Sequence, residues 1–460
     1  MSDTSDKAGD EEDFDWDEET DGVASDSLED DLDLAPTAQT FAPRGVLPDG
    51  ATTVVLSGAG AGSAIVPHEV PREQDAVALL SRDSALSRSS PVFMVHRPHQ
   101  NGILMPRLLA SVASVTRGRV AAAASVALPQ ATNESLSTWL SSCVVASVTM
   151  ADPLGYLKDP TIVRVPAVSD RARRWRPYLA EAGDDIPSLL ELQRTVGANL
   201  LLTPGRALDP TNAQTALDAA FAQGDDALAN LGTGERLALN LTLPATWLSS
   251  ESLRAKLFAQ LLDQEQFDVW HIRVQWPSTV RSLHQPLSLE LLTGYKRLSQ
   301  LAADEGHALL LPQTGLTGWL QLAFGGHGFG SGLFGSGQAF KEHSQGGSGG
   351  QPEVERYFEP TLLHPVERAV HDAMRRADGY VTCDCPYCPA LHAKSDWDHT
   401  LARLHLMHWQ GRLAGRAFEQ GKSQEAAIRG AVRAAVDAAA AQPLAGISLP
   451  RHLTIWDQLL

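Results

Sequence analysis

Cysteine is scarce, with four residues in a chain of 460, which is too few for the disulfide framework of a secreted domain. Long apolar runs are missing too. None approaches the roughly 20 uncharged residues that a bilayer-crossing helix needs. The N-terminus is acidic where a secretory signal would be basic and then apolar. These absences argue against a membrane partner and predict a cytoplasmic protein. Basic residues are outnumbered, 37 Lys and Arg against 55 Asp and Glu. That imbalance is local. Residues 1–34 hold sixteen acidic residues and one Lys, so −15 of the net −18 lies there and −3 is spread over the other 426. The remainder of the chain is nearly neutral and has room for basic patches, which nucleic-acid binding requires.

The acidic stretch has too few apolar residues to offset the entropy of ordering, and a disordered tail is expected over residues 1–45. Phe14 and Trp16 inside it make an acidic-aromatic peptide suited to docking on a basic protein partner or competing for a nucleic-acid groove, or a plain solubilising tail. "RARRWRP", with Arg171, Arg173, Arg174 and Arg176 around Trp175, has the chemistry to pair with phosphate and stack on a base. It reads equally as a solvated helix start.

A hydrophobic fraction of 43% is ordinary for a globular chain and makes most of it fold. Short apolar, β-rich runs recur at 52–58, 91–97, 198–203, 237–243, 268–276, 307–313, 326–334 and 356–363. Continuously apolar strands separated by helical patterns, such as 252–266 and 289–306, are how buried parallel strands read. Eight such runs predict an α/β fold of the (β/α)8 barrel type over residues 46–365. An irregular insertion is expected around 100–195, where periodicity does not separate helix from strand. A zinc-binding segment and helices, one capped by Ser423, are expected over 366–460.

At a barrel's ligand face, strand ends carry the chemistry. Arg273 and Gln275 share one face of "WHIRVQW" by the strand period of two, and Gln313 follows "ALLLP". The guanidinium suits a phosphate and the amides suit a base edge, although packing with locally satisfied polar heads fits the same residues. Gly325, Gly326, Gly328 and Gly330 open a dense glycine series that would let a ligand approach the backbone. "HSQGGSGG" beyond it reads as a flexible loop.

The densest signal is "CDCPYC". Cys383, Cys385 and Cys388 form C-x-C-x2-C, whose thiolates can converge on one ion. A tetrahedral structural zinc needs one more ligand. His405 and His408 lie three apart on one face of the following helix, and either can supply it. His392 and His399 are further alternatives. A closed shell of this kind holds a fold together and leaves no position for substrate. Cys143, alone in "SSCVVASV", reads as a buried structural thiol.

A barrel followed by C-x-C-x2-C and a helix-borne histidine resembles the tRNA-guanine transglycosylase family, over "CDCPYC", "LHLMHW" and faintly "AFGGHGFGSG" and "SPVFMVHRP". The resemblance implies a structural zinc with His408 as best match for the fourth ligand. It also implies exchange of guanine for a 7-deazaguanine base in tRNA or DNA. The gap from Cys388 to His408 is shorter than the family's usual one. Neither an Asp-Ser-Gly-Gly-Phe-type nor an Asp-Cys-Val-x-Pro-Thr-Arg-type motif is present. A carboxylate nucleophile must then come from elsewhere. Glu359, late in the barrel, and Asp209, after the strand at 198–203, are the candidates; Asp268 sits at the wrong strand end. The alternative is a catalytically inactive, zinc-stabilised barrel serving as a nucleic-acid-binding or partner subunit in a homo- or hetero-oligomer. A third reading is a barrel enzyme that binds a phosphorylated small molecule at 325–332.

Overall fold

The computed structural model describes residues 52–54, 77–163, 185–277, 285–342, 354–419, 423–441 and 450–460. The acidic tail, the "RARRWRP" patch and the "HSQGGSGG" loop lie outside the described residues. Among the described residues, no helix is long and apolar enough to cross a membrane.

Eight parallel strands form one sheet: β1 (Val92–His96), β2 (Ala121–Ala127), β3 (Ala146–Asp152), β4 (Leu201–Leu202), β5 (Leu237–Pro244), β6 (Val269–Gln275), β7 (Ala308–Leu311) and β8 (Gly328–Ser331). Their order is β3-β2-β1-β8-β7-β6-β5-β4. This is a (β/α)8 barrel read around its circumference, with β8 pairing in parallel to β1. The remaining seam, between β3 and β4, is closed by the side chain of Asn199 and the backbone of Asn199 and Leu200. Asn199 accepts from Thr149 N at 2.8 Å and donates to Ser147 O at 3.0 Å, while Asn199 N and Leu200 N both donate to Thr149 O.

Helices alternate with the strands: α1 (Leu104–Thr116), α2 (Asn133–Ser142), α3 (Ile186–Thr195), α4 (Ala213–Ala229), α5 (Glu251–Leu262), α6 (Leu289–Asp304) and α7 (Gly315–Gln321). Strand β6 shows how the pattern produces the layers. Trp270, Ile272, Val274 and Trp276 pack outward under the helices, whereas Val269 belongs to the apolar plug inside the barrel. His271, Arg273 and Gln275 alternate with the outward set and are buried above that plug.

Six of the eight expected runs are barrel strands. The other two are not. Residues 52–54 pair with Val77–Leu79 in a small antiparallel ribbon. The run at 356–363 begins a hairpin outside the barrel, β9 (Arg356–Glu359) against β10 (His364–Glu367). The missing strands are β2 and β3, so the stretch from 104 to 152 holds two regular strand-helix units in place of an insertion.

After the hairpin come α8 (Arg368–Arg375), α9 (Cys388–Ala393), α10 (His399–Ala417), α11 (Gln424–Ala441) and α12 (Arg451–Leu459). Helix α10 packs against α1 and α7 and so occupies the position of a barrel's eighth helix. Gly411 and Gly415 allow the close fit. A Cβ at 411 would lie 2.5 Å from Val112 Cγ1, and one at 415 would lie 2.7 Å from Thr116 Cγ2. Ser423 caps α11 as expected, its hydroxyl accepting from Ala426 N at 3.1 Å.

Candidate metal centre and barrel mouth

The cysteine loop, the following short helix and α10 converge. Cys383 and Cys385 lie in the loop before α9, Cys388 is the first residue of α9, and α10 supplies His405. Their ligand atoms all lie within 4.8 Å of one another, a Cys3His group that could hold a metal ion. His405 Nδ1 is 3.8, 3.2 and 3.3 Å from the sulfurs of Cys383, Cys385 and Cys388. Such spacings suit four ligands around one small tetrahedral cation.

The surroundings fit a cation as well. His405 Nε2 lies 2.8 Å from the carbonyl oxygen of Phe358 and must donate to it. That bond fixes the tautomer of the neutral ring, whose Nδ1 lone pair then faces the sulfurs. Cys383 Sγ accepts from Trp409 Nε1 at 3.2 Å and from Cys385 N at 3.4 Å. The Tyr357 hydroxyl lies 3.2 Å from Cys388 Sγ. Hydrogen bonds from Cys385 and Cys388 hold the Cys383 thiol well below its usual range. Burial alone would lower the His405 pKa, but the Cys383 and Cys385 sulfurs outweigh it and raise it to about 10. The cluster therefore attracts positive charge.

The structure corrects the expected fourth ligand. His408, one helical turn on, points away from the sulfurs toward α1, with Nδ1 3.2 Å from Ser111 Oγ. Burial, then the neighbouring His405 and Arg412, push its pKa down to about 4. It is a packed neutral histidine between two helices.

The second constellation is at the C-terminal mouth of the barrel, where Arg273 and Asp152, the last residue of β3, form a buried ion pair. Arg273 Nε also donates to Gln313 Oε1 at 2.7 Å, and Nη1 reaches Thr242 Oγ1 at 3.4 Å. Asp152 Oδ1 accepts from Leu154 N at 3.0 Å. Burial would raise the Asp152 pKa, but Arg273 and then His271 outweigh it, so the carboxyl is held below its usual range. Below this pair, His271 Nδ1 lies 2.8 Å from Asn240 Oδ1, while Asn240 Nδ2 donates to Thr203 O. His271 Nδ1 therefore carries the proton, and burial lowers its pKa to about 3. His96 Nε2 accepts from Gln313 N at 3.2 Å. The mouth is roofed by Tyr156 and Phe340, whose rings are 5.0 Å apart and both lie over the Arg273 guanidinium.

Arg273, Gln275 and Gln313 are thus brought to the barrel mouth, the first two almost wholly buried. The other expected residues are elsewhere. Glu359 ends β9 in the outer hairpin, where it accepts from Thr361 Oγ1 at 2.9 Å and Tyr380 OH at 3.1 Å, with His371 Nδ1 at 3.6 Å. Its partners all lie outside the barrel strands, which removes it as a mouth nucleophile. Asp209 is half-buried and caps the turn Pro210–Asn212. Hydrogen bonds from Thr211 and then Asn212 lower its pKa, the local turn role of such carboxylates.

Gly325 and Gly326 precede β8, at the barrel end opposite the mouth. A Cβ at 325 would lie 2.4 Å from Ala303 Cβ, and φ there is +94°. Gly328 opens β8 against Val92 and Leu310. These three serve close packing. Of these four, only Gly330 faces the mouth, where a Cβ would lie 2.5 Å from His96 Nε2.

Asp152, His96, His271 and Asn240 were missed by sequence reasoning. "MADP" looks like a strand running into a turn, and the one available signal was that an Asp ends an apolar run, as catalytic residues at barrel strand ends do. No protein-family model matches the chain, and no curated protein matches it.

Proposed function

We propose that this chain is a zinc-stabilised barrel of the base-exchange transglycosylase type, acting on tRNA or DNA from its C-terminal mouth. The observation that supports it most is topological. The three cysteines lie between β8 and the helix that completes the barrel ring, and that helix supplies the fourth ligand, His405; three thiolates with one imidazole select zinc in a structural role. Clustered reduced thiols suit the cytoplasm.

In this reading Asp152 takes the nucleophile's place. Its carboxylate oxygen attacks the anomeric carbon, the glycosidic bond breaks, and the bonding electrons leave with the departing base. The departing base takes up a proton, and the incoming base, giving one up, forms its bond to the anomeric carbon as the carboxylate leaves. A buried charge pair at a barrel mouth is an expensive arrangement in the place where this architecture carries its chemistry. The experiment is a base-exchange assay with labelled guanine on tRNA and on duplex DNA. It compares the zinc-loaded protein with Asp152→Asn, each checked for folding by circular dichroism. Exchange that is lost in the variant supports the reading.

One feature favours a second reading, a nucleic-acid-binding partner subunit without its own chemistry. Both Asp152 oxygens are engaged, by Arg273 and by Leu154 N, under the roof of Tyr156 and Phe340. Binding of nucleic acid without exchange in either protein would move the assignment there. Failure to bind either nucleic acid overturns both readings.

A further inference from the structure

The helix that carries the fourth metal ligand is joined to the barrel mouth by a chain of buried hydrogen bonds. Five residues after His405 on α10, Gln410 is 1% exposed. Its Oε1 accepts from Ser331 Oγ at 2.5 Å, at the end of β8, and its Nε2 donates to Gln338 Oε1 at 2.8 Å. Gln338, also buried, donates through Nε2 to Gly332 O at 2.6 Å. Each of these amides therefore has both its oxygen and its nitrogen in use, and they tie the turn Gly335–Gln338 to the start of its own loop and to α10.

That turn reaches the mouth in two further steps. Gln313 Nε2 donates to Ser336 O at 2.9 Å, and Gln313 Oε1 accepts from Arg273. Directly after the turn, Phe340 N donates to Gln313 O at 3.1 Å, and Trp276 N donates to Phe340 O at 2.8 Å. Those bonds set the Phe340 ring over Arg273. Gln313 itself has a positive φ of 53°, a backbone conformation that is unfavourable for its residue type and is held by its surroundings. A close passage of Gly332 against Gly337, where a Cβ on Gly337 would lie 2.6 Å from Gly332 Cα, leaves the loop little slack.

We infer that Gln410 is a positioning residue through which the metal centre sets the barrel mouth: metal places α10, and Gln410 passes that placement to Gln338, Gln313 and Arg273. The inference rests on the proposed function only in treating the mouth as the working site. The connection itself does not depend on what binds there. The one bond between the two glutamines, whose remaining amide groups are held by Ser331 and Gly332, forms only in one relative placement of α10 and the turn, which is why a shift of the helix must be felt at the turn.

The test is amide hydrogen exchange on the full chain loaded with zinc, comparing wild type, Gln410→Leu and, as an independent cut of the same link, Gln338→Leu. Metal content is measured on each. The expected result is that both variants keep zinc at the wild-type level. Exchange at Gly337, Gln338, Ala339 and Phe340 should rise about tenfold, the scale of losing roughly one buried hydrogen bond, while the amides of β5 keep their protection. Wild type stripped of zinc by a chelator should show the same rise at the same four amides. Unchanged exchange there in both variants, or no response to zinc removal, overturns the inference. So does a rise spread equally over β5, which would mark general destabilisation. No nucleic acid enters the experiment, so its failure is distinct from failure of base exchange.

Discussion

His405 donates through Nε2 to the carbonyl oxygen of Phe358 at 2.8 Å and presents Nδ1 to three sulfurs. The hairpin strand β9 thereby chooses the tautomer of a ligand carried by a helix, and the choice separates His405 from its neighbour three residues on. Metal content measured after gel filtration is the check. The wild-type protein should hold about one zinc per chain, as a closed Cys3His shell requires. His405→Ala and Cys385→Ser should each lose it, and His408→Ala should keep it. Loss of zinc from the His408 variant alone would overturn the ligand assignment.

The Arg273–Asp152 pair makes a different demand on stability. Both side chains are buried, so removing one strands the other's charge away from water. Asp152→Ala should cost about 3–5 kcal/mol by chemical denaturation, and the paired change Asp152→Leu with Arg273→Met should recover most of it. A double-mutant cycle that shows no coupling would mean that the other hydrogen bonds of Arg273 alone hold it in place.

What the sequence made legible follows from how local each signal was. Strands β1, β4, β5 and β7 are largely apolar because parallel strands are covered on both faces, whereas β6 interleaves His, Arg and Gln with apolar residues and β8 is glycine-rich. Strand β2 is "AAAASVA", and alanine, small enough for the crowded barrel interior, is also the best helix former. Its identity comes from pairing with β1 and β3. The hairpin strand β9 has the same local pattern as a barrel strand, and only its partner distinguishes them. Likewise the three cysteines announce themselves by spacing, whereas His405 and His408 share a helix face, and only Ser111 on α1 and Phe358 on β9 tell them apart. Asp152 acquires its meaning from Arg273, 121 positions away, which no local motif encodes.

Two helical glycines should respond oppositely to the same substitution. At Gly411 a Cβ would lie 2.5 and 2.8 Å from the two Cγ atoms of Val112 and 3.3 Å from Phe93 Cδ1. A β-branched side chain on a helix has one strongly preferred rotamer and cannot swing clear. Gly411→Ala should therefore destabilise by about 1–2 kcal/mol, overpacking outweighing the gain in helix propensity. At Gly430 in α11 a Cβ meets nothing within 4 Å, so Gly430→Ala should stabilise by up to about 1 kcal/mol. Thermal or urea denaturation of the two variants decides it. Equal signs would mean that α10 does not sit as closely on α1 as described.

Buried neutral histidines should govern the acid side of the stability curve, and His271, His327 and His452 are three of them. Burial lowers His271 to about 3, with Asp152 opposing the shift and Arg273 and His96 adding to it. Burial lowers His327 to about 4 against its hydrogen bond to Ala85 O, with Arg88 adding to the shift. Burial likewise lowers His452 to about 4, with the bond to Leu363 O opposing. The ordinary histidine value in an unfolded chain is about 6.5. Between that value and about 4, unfolding therefore takes up protons. The stabilisation from keeping these rings neutral is fully present above about pH 6.5 and is lost as pH falls toward 4. Near pH 5 the three together should contribute proton uptake of about three per chain. Urea denaturation from pH 7.5 to 4.5 measures the slope, and His452→Gln separates this contribution from any acid release of metal, since His452 is far along the chain from the cluster and bonded to Leu363 O. The variant should lower the slope near pH 5 by about one proton. An unchanged slope would mean that the His452 ring is already protonated in the folded protein.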